Sequence, residues 1–396
     1  MRIVDIRELT IPLEGNISNA VVSFAEHTVS LVAVVSDVIR NGRPVIGLGF
    51  DSIGRFAQGG ILRERILPRL RAAPAESLLA DDGRHFDPAR VLAVARRNEK
   101  PGGHGDRAAA IAAVELAIWD LNAKLDDEPA HVGIARAFGR SKPVADVDVY
   151  AAGGYYYAPG QGRTLTDELR EYQDMCFVAF KTKIGGAPLA RDLERIEQAI
   201  AVAGSGARVS VDANGRFDLD TALAYAVAIA PLGLRWFEEI GDPLDFALNA
   251  TLASVYGGPI ATGENLFSFE DSRNLLNFGG MRAGRDIFQM DAGLAYGLTE
   301  YARIIDLLEA RGFQRAQAYP HGGHLINLHI AVGMALGGCE AYPGVFQPFG
   351  GYSPECVLNG SRISPSDVAG FGLDQKRELV PFIERLVGDL APVTTA

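Results

Sequence analysis

Six polar residues recur along this chain at a nearly constant step. They are Lys183, Asp212, Glu238, Glu264, Asp291 and His321, which are separated by 29, 26, 26, 27 and 30 residues. Each of them follows or ends a short apolar run. One strand, one loop and one helix use about this many residues, and a (β/α)8 barrel of about 250 residues has the same step. The spacing therefore predicts successive βα units whose strand ends carry these side chains to one mouth of a barrel.

The first 140 residues have a different pattern. Two β-rich runs, residues 29–38 and 44–50, flank Asn41-Gly42, which predicts a hairpin. Helical periodicity follows over residues 61–70, 88–97 and 107–125. We therefore expect a separate α+β domain here, with a boundary near residues 141–143.

Composition excludes several classes of protein. A net charge of -11 disfavours a nucleic-acid surface, so no nucleic-acid partner is expected. Apolar runs are too short to cross a membrane and the first residues lack the apolar core of a signal peptide, which favours a cytoplasmic protein without membrane contact. Cys176, Cys339 and Cys356 are far apart in sequence. We expect buried free thiols rather than disulfides or a zinc site.

Three of the six residues are carboxylates at successive predicted strand ends. Asp212, Glu238 and Glu264 would repel one another if they met without a cation. A divalent ion removes that repulsion, and an all-oxygen ligand set suits Mg²⁺ better than zinc. Each carboxylate taken alone would more often be a helix cap or a solvated loop residue. Together they predict a magnesium site.

Lys181 and Lys183 lie two apart on one predicted strand, so their side chains point to the same face. If that face is the barrel interior, two ammonium groups beside a metal lower a lysine pKa and make a neutral amine available as a base. Exposed lysines at a strand end are the simpler interpretation of Lys-x-Lys alone. These lysines lie one βα unit before the first of the three carboxylates, and this position favours a catalytic base.

His321 is the second residue of the string Pro-His-Gly-Gly-His, residues 320–324. It is expected across the barrel from Lys183, and Asp291 on the preceding strand could orient its ring and tune its charge. His324 precedes a helical stretch and is either a second contributor or a helix cap. A zinc-binding His-x-x-His pair is a further alternative, although the carboxylates offer a better cation site.

The residues around these positions resemble a known family. The strings are Lys181-Thr182-Lys183, Asp212-Ala213-Asn214, Glu238-Glu239 and Gly263-Glu264-Asn265, with Asp291 and His321. This set resembles the mandelate racemase group of the enolase superfamily. Longer strings at residues 99–105, 150–157, 183–188, 241–245 and 320–324 are similar to those of acid sugar dehydratases in that group. The resemblance implies an α/β fold, a modified TIM barrel (β/α)7β over residues 141–364. Its α+β capping domain would comprise residues 1–140 and be completed by residues 365–396.

The resemblance also implies a reaction. Enzymes of this group use Mg²⁺ and remove the proton α to a carboxylate, which gives an enediolate. Here Lys183 would be the base, His321 the acid that protonates the departing β-hydroxyl, and Lys181 a further positive charge, while Asn214 would bind the acid sugar substrate.

A dicarboxylic substrate also needs cations at its far end. Arg55, in the Gly-rich run of residues 51–60, and Lys100 with His104 are candidates, because lids of this kind come from capping domains. The alternative is that these Gly-rich loops only form turns.

Other functions stay open at this point. The same Lys183 and His321 would serve a racemase of a 2-hydroxy acid, or a dehydratase of another acid sugar. A non-catalytic barrel scaffold would not need all six polar positions. We also expect a homo-oligomer, since barrels with exposed capping domains often associate.

Overall fold

The computed structural model describes residues 1–14, 17–102, 104–156 and 164–390. Of the segments singled out above, Gly103 and Tyr157 lie outside the described residues. So do residues 391–396 of the C-terminal segment.

A three-stranded antiparallel sheet begins the chain. Its strands, in spatial order, are β1 (Ile3–Pro12), β2 (Thr28–Arg40) and β3 (Arg43–Phe50). Arg40 pairs with Arg43, so the loop between β2 and β3 consists of Asn41 and Gly42, whose φ angles are 50° and 73°. Both angles are left-handed, as a two-residue hairpin turn requires. The predicted hairpin is confirmed.

Helices pack on this sheet and beside it. They are α1 (Gln58–Ile61), α2 (Leu67–Arg71), α3 (Pro88–Ala95), α4 (Gly105–Asp126) and α5 (Ala130–Ala137), with a π-helical turn at Leu62–Ile66 between α1 and α2. The long helix α4 is rich in alanine and packs closely on β3. A Cβ atom on Gly49 would lie 2.5 Å from the carbonyl oxygen of Ala113. Glycine at this position therefore permits the close approach of helix and sheet.

The second part of the chain alternates strands and helices. The strands are β4 (Val147–Gly153), β5 (Phe180–Lys183), β6 (Val209–Asp212), β7 (Trp236–Glu238), β8 (Ile260–Thr262), β9 (Ile287–Phe288) and β10 (Gly338–Ala341). The intervening helices are α6 (Leu165–Asp174), α7 (Leu189–Ala203), α8 (Leu219–Ile229), α9 (Phe246–Val255), α10 (Phe269–Phe278), α11 (Leu298–Ala310) and α12 (Leu325–Met334).

These strands close into a barrel. Neighbours from β4 to β9 pair in parallel, a parallel bridge joins Phe288 to Ala318, and β10 pairs in parallel with β4. The segment at Ala318 thus takes the seventh position and β10 the eighth. The fold is a (β/α)7β modified TIM barrel with an α+β cap, as predicted. A short antiparallel hairpin, β11 (Val357–Asn359) and β12 (Arg362–Ser364), adds to the edge of β4.

After the barrel the chain returns to the cap. Helix α13 (Val380–Val387) packs against β1. The buried Asp120 carboxylate on α4 accepts hydrogen bonds from the backbone N–H of Leu48, at 2.7 Å, and of Phe371, at 2.6 Å. Both ends of the chain therefore contribute to the cap. The predicted boundary at residues 140–141 falls between α5 and β4 and stays a proposal.

Two further expectations concern membranes and thiols. Within the described ranges, no helix has the length and apolarity needed to cross a bilayer. All three cysteines are free, but they are not all buried as predicted. Cys339 is buried and Cys356 half-buried, whereas Cys176 is exposed. Cys176 lies in the turn after α6 with a left-handed φ of 74°, which directs it away from the core.

Candidate active site

The ends of β5, β6 and β7 place charged side chains side by side. Lys183 is in register with Asp212, and Asp212 with Glu238. Glu264 follows β8 at the next position around the barrel. One carboxylate oxygen from each of Asp212, Glu238 and Glu264 lies within 4.8 Å of the others. We call these three residues the acidic triad.

Neighbouring groups hold the carboxylates of the acidic triad in place. Trp236 Nε1 donates to Glu238 Oε2 at 2.7 Å, and the backbone N–H of Asn214 donates to Asp212 Oδ1 at 2.8 Å. Asp212 and Glu238 are fully buried and Glu264 is partly exposed towards the barrel mouth. Buried carboxylates with converging oxygens and no nitrogen or sulfur ligand fit a hard divalent cation.

Both lysines of β5 face this acidic triad. Lys183 Nζ donates to Asp212 Oδ2 at 2.5 Å. Lys181 Nζ contacts Glu238 and lies 2.7 Å from Glu340 Oε1 and 3.5 Å from Asp212 Oδ2. Burial by itself lowers the pKa of each lysine, but the surrounding carboxylates outweigh it and the pKa of both is raised. The lowered lysine pKa was predicted for ammonium groups beside a bound cation, whose charge would oppose that of the carboxylates, and it stays a prediction.

His321 belongs to a hydrogen-bonded set on the other side of the mouth. Its Nδ1 lies 3.3 Å from Asp291 Oδ2, and its Nε2 lies 3.0 Å from the Tyr342 hydroxyl and 3.9 Å from Glu264 Oε1. Burial opposes the charged ring, but Glu264, the Asp291 hydrogen bond and Glu340 prevail and raise the pKa of His321 to about 10. The Asp291 carboxylate is itself held by Asn327 Nδ2 at 3.0 Å. The predicted pairing of His321 with Asp291 is thus present in the structure.

His324 has a different role. Its ring accepts a hydrogen bond from the backbone N–H of Asn327 at the start of α12, and its Nε2 lies 3.0 Å from Ser52 Oγ. Burial lowers the pKa of His324 to about 4. The structure supports the helix-cap alternative for this residue.

A cavity of about 340 Å³ lies between barrel and cap over these groups. Lys183, Asn214 and His321 line it from the barrel, and Arg55 lines it from the cap. Arg55 Nη2 donates to Asn265 Oδ1 at 3.0 Å, and its guanidinium lies 4.7 Å from the ring centroid of Phe267. The structure therefore brings the predicted base, acid and two predicted substrate-binding residues to one enclosed space.

Comparison with known proteins decides the family. The sequence model described as "Enolase C-terminal domain-like" matches residues 164–379, more than half of the chain. The chain belongs to this enolase-like family. The resemblance recognised from the motifs is confirmed.

Named relatives include sugar acid enzymes. L-talarate/galactarate dehydratase of Salmonella typhimurium is 26% identical over 331 residues, which are 82% of this chain and 77% of that protein. Arabinonate dehydratase of Saccharolobus solfataricus is 29% identical over 235 residues, but the match spans only 59% of this chain and 60% of that protein. Both of these relatives are thus dehydratases of acid sugars.

Solved structures agree on the fold. A racemase from Streptomyces coelicolor A3(2), with bound magnesium, aligns over 98% of both chains with a TM-score of 0.75 at 24% identity. L-talarate/galactarate dehydratase from Salmonella typhimurium aligns over 93% of this chain and 87% of its own, with a TM-score of 0.73 at 23% identity. The enolase-like architecture therefore extends across the cap as well as the barrel.

Two residues predicted to bind the far end of a substrate, Lys100 and His104, do not line the 340 Å³ cavity, which we call the catalytic cavity. His104 Nε2 lies 3.3 Å from Asp271 Oδ2, and its ring stacks on Tyr296. It lines a separate outer cavity of about 810 Å³, which Arg55 also borders. Lys100 is exposed and lines neither cavity. The structure does not bring Lys100 and His104 together with Lys183 and His321.

Sequence reasoning missed other residues of the site. Glu340, at the end of β10, contacts Lys181 and accepts a hydrogen bond from the Gly322 N–H at 3.0 Å. Glu239, in the left-handed conformation with φ of 42°, accepts from Asn265 Nδ2 at 2.7 Å and lines the catalytic cavity. Glu340 follows a short apolar run, which is the signal that could have identified it.

Proposed function

We propose that this chain is an acid sugar dehydratase that converts D-tartrate to oxaloacetate and requires Mg²⁺. The observation that carries this proposal is that Lys183 and His321 line one cavity beside the acidic triad. A proton acceptor and a proton donor on two sides of a bound acid are what a β-elimination of water needs.

The choice of D-tartrate depends on longer strings of sequence. Residues 99–105, 150–157, 183–188, 241–245 and 320–324 resemble those of D-tartrate dehydratase. Most of them border the cavity or its mouth, including Tyr155, Lys183, Asp242 and His321. The named relatives are dehydratases of other acid sugars, so they support the reaction class rather than the substrate.

In the proposed mechanism this chain moves two protons. Lys183, as the neutral amine, takes the proton from the carbon next to the substrate carboxylate. His321, as the imidazolium, donates a proton to the hydroxyl on the adjacent carbon, which leaves as water with its bonding electrons. The resulting enol tautomerises to oxaloacetate. Asp291 orients the His321 ring, and each positioned proton transfer is worth roughly 10² to 10⁴ in rate.

Asp212, Glu238 and Glu264 are the residues that would hold Mg²⁺, since their oxygens converge within 4.8 Å. Bound there, Mg²⁺ supplies positive charge that stabilises negative charge developing on the substrate carboxylate. Lys181 adds a second fixed positive charge beside Glu238.

A longer diacid is the second candidate substrate. The relative that covers 82% of this chain is an L-talarate/galactarate dehydratase. A match of 331 residues is longer than the barrel, so the likeness extends into the cap, and the cap supplies Arg55 to the cavity.

The test is turnover of an acid panel with Mg²⁺, with 2-keto acid detection. The panel contains both tartrate enantiomers, meso-tartrate, mandelate, galactarate, talarate and several hexonates. Oxaloacetate from D-tartrate alone supports the proposal, and turnover of galactarate or talarate instead favours the second candidate. Exchange of the α-proton in D₂O without a keto product would indicate a racemase. Lys183→Ala and His321→Ala should each abolish dehydration with unchanged folding by circular dichroism. Full turnover in either variant contradicts the assigned roles.

A further inference from the structure

His27 is a buried histidine at the catalytic cavity that the proposed mechanism does not use. It immediately precedes β2 in the cap, is only 8% exposed and lines the same 340 Å³ cavity as Lys183 and His321. Its Nδ1 is buried without a hydrogen-bond partner. Among the described residues, no side chain or backbone group bonds to either ring nitrogen. Buried polar atoms are rarely left unpaired, so the ring is expected to find its partner in a ligand.

Aromatic rings hold His27 in place. Phe56 stacks on it with ring centroids 4.6 Å apart, and Phe24 packs edge-on at 4.9 Å. Burial lowers the pKa of His27, and no carboxylate opposes that effect. The ring is therefore a neutral imidazole, which offers one N–H donor and one acceptor nitrogen in a fixed orientation.

Arg55 lines the same cavity as His27 and also comes from the cap. The loop that carries Arg55 is tied to the start of β2 by a hydrogen bond from the Ala57 N–H to Thr28 Oγ1, at 3.0 Å. Within the described part of the chain, Arg55 has no carboxylate partner. Its Nη2 reaches only the amide of Asn265, and its Nε is buried without a partner. A guanidinium with unused donors and an imidazole with an unused donor therefore line one cavity.

The rest of the cap wall is mainly apolar. Val21, Val22, Phe24 and Ile53 line it, and the side-chain oxygen of Asn19 is occupied by the N–H groups of Val21 and Val22, both at 2.8 Å. Among the described residues of this cap wall, His27, Arg55 and the side-chain amide nitrogen of Asn19 are the polar donors, whereas the acidic triad and the proton-transfer groups are on the barrel. A ligand that spans the cavity meets a cation site at one end and these donors at the other.

We infer that His27, together with Arg55, binds the carboxylate of the substrate that does not react, and that His27 selects dicarboxylic over monocarboxylic acid sugars. This inference rests on the proposed function and adds to it a residue that determines specificity. The Arg55 guanidinium would balance the charge of the carboxylate. The neutral His27 imidazole would donate an oriented hydrogen bond to it without adding a second positive charge.

The experiment measures binding without turnover. Calorimetric titrations use Mg²⁺-loaded Lys183→Ala protein, with and without His27→Phe. The ligands are two matched pairs of a diacid and a monoacid with the same reacting end, D-tartrate with D-glycerate and galactarate with galactonate. Loss of a hydrogen bond to a charged group corresponds to roughly 10-fold or more in affinity. We expect His27→Phe to lower the affinity for the diacid by about that factor and the affinity for the monoacid by less than about twofold.

Two controls separate recognition from packing. Val22→Ala shortens an apolar side chain in the same wall and should affect diacid and monoacid alike. His27→Gln keeps an N–H donor and should recover part of the diacid affinity. The inference is overturned if His27→Phe loses affinity equally for the diacid and the monoacid of a pair, or loses affinity for neither.

Failure of the proposed function gives a different result. If wild type turns over galactarate but not D-tartrate, the D-tartrate assignment fails, and the galactarate and galactonate pair still decides the role of His27. If wild type turns over D-tartrate and His27→Phe keeps its preference for the diacid, only the inference about His27 fails. If the protein accepts only monocarboxylic acids, both are overturned.

Discussion

Replacement of Glu340 by Gln tests how the positive charge of Lys181 is balanced. Lys181 Nζ contacts Glu238, lies 2.7 Å from Glu340 Oε1 and lies 3.5 Å from Asp212. Removal of one partner from a buried ion pair costs about 3–5 kcal/mol when the other charge is left alone. Here two carboxylates remain, so the loss is nearer to that of one charge-assisted contact, about 1.5–3 kcal/mol. The amide of Gln can still accept the Gly322 N–H.

The same variant should cost more when Mg²⁺ is bound. Asp212 and Glu238 would then share their charge with the cation, and Glu340 would become the main partner of Lys181. We expect the loss in free energy of unfolding to rise towards about 3–5 kcal/mol with Mg²⁺ and to stay near 1.5–3 kcal/mol with a chelator.

The assay is urea unfolding of wild type and Glu340→Gln in matched buffers, with and without Mg²⁺. The buried Trp236, which donates to Glu238, provides the fluorescence signal. Comparison of variant with wild type in each buffer removes the stabilisation that Mg²⁺ gives to both proteins. An equal loss in the two buffers, or a loss below about 0.5 kcal/mol, would refute this account of the charge balance.

Three further predictions concern other parts of the molecule. Gly323→Ala places a Cβ 2.5 Å from the Ala341 backbone, so we expect a loss of about 1–3 kcal/mol in unfolding free energy. Gly257→Ala, with open space around it, should stay within about 0.5 kcal/mol in the same urea titration. Asp291→Asn removes the charged partner of His321 and should lower kcat by roughly 10²-fold in steady-state assays, with little change in Mg²⁺ affinity measured by calorimetry. Asp120→Ala leaves two buried N–H groups without their acceptor and removes the nearer carboxylate of Lys124, which keeps Asp374 at 3.5 Å, so it should cost about 3–5 kcal/mol by urea unfolding. A cost below about 1 kcal/mol would show that other contacts hold the segment around Phe371 on the cap.

The βα step could be predicted from sequence because each unit of the barrel uses a similar number of residues. It located the lysine, the acidic triad and His321 without knowledge of their contacts. Glu340 was missed because it follows His321 by only 19 residues, a step shortened by the brief segment around α12. Regular spacing therefore identifies regular units and loses the last strand of the barrel.

Contacts between distant segments were less predictable. His27 is a single histidine at a strand start, and only the cavity above it distinguishes it from an ordinary core residue. The ion pair between Lys183 and Asp212 was not predicted, because the sequence gives the charges that converge but not the pairs that they form. Lys100 and His104 were grouped with Arg55 by their loops, yet only Arg55 lines the catalytic cavity.

The return of the chain to the cap has a consequence for synthesis on the ribosome. Asp120 receives one hydrogen bond from Leu48, made early in translation, and one from Phe371, made only after the whole barrel has emerged. Helix α13 likewise reaches β1 more than 360 residues after β1 is made. Shortened proteins that stop after β10 would therefore leave the cap unfinished, and a nascent chain can complete the cap only when α13 has been released.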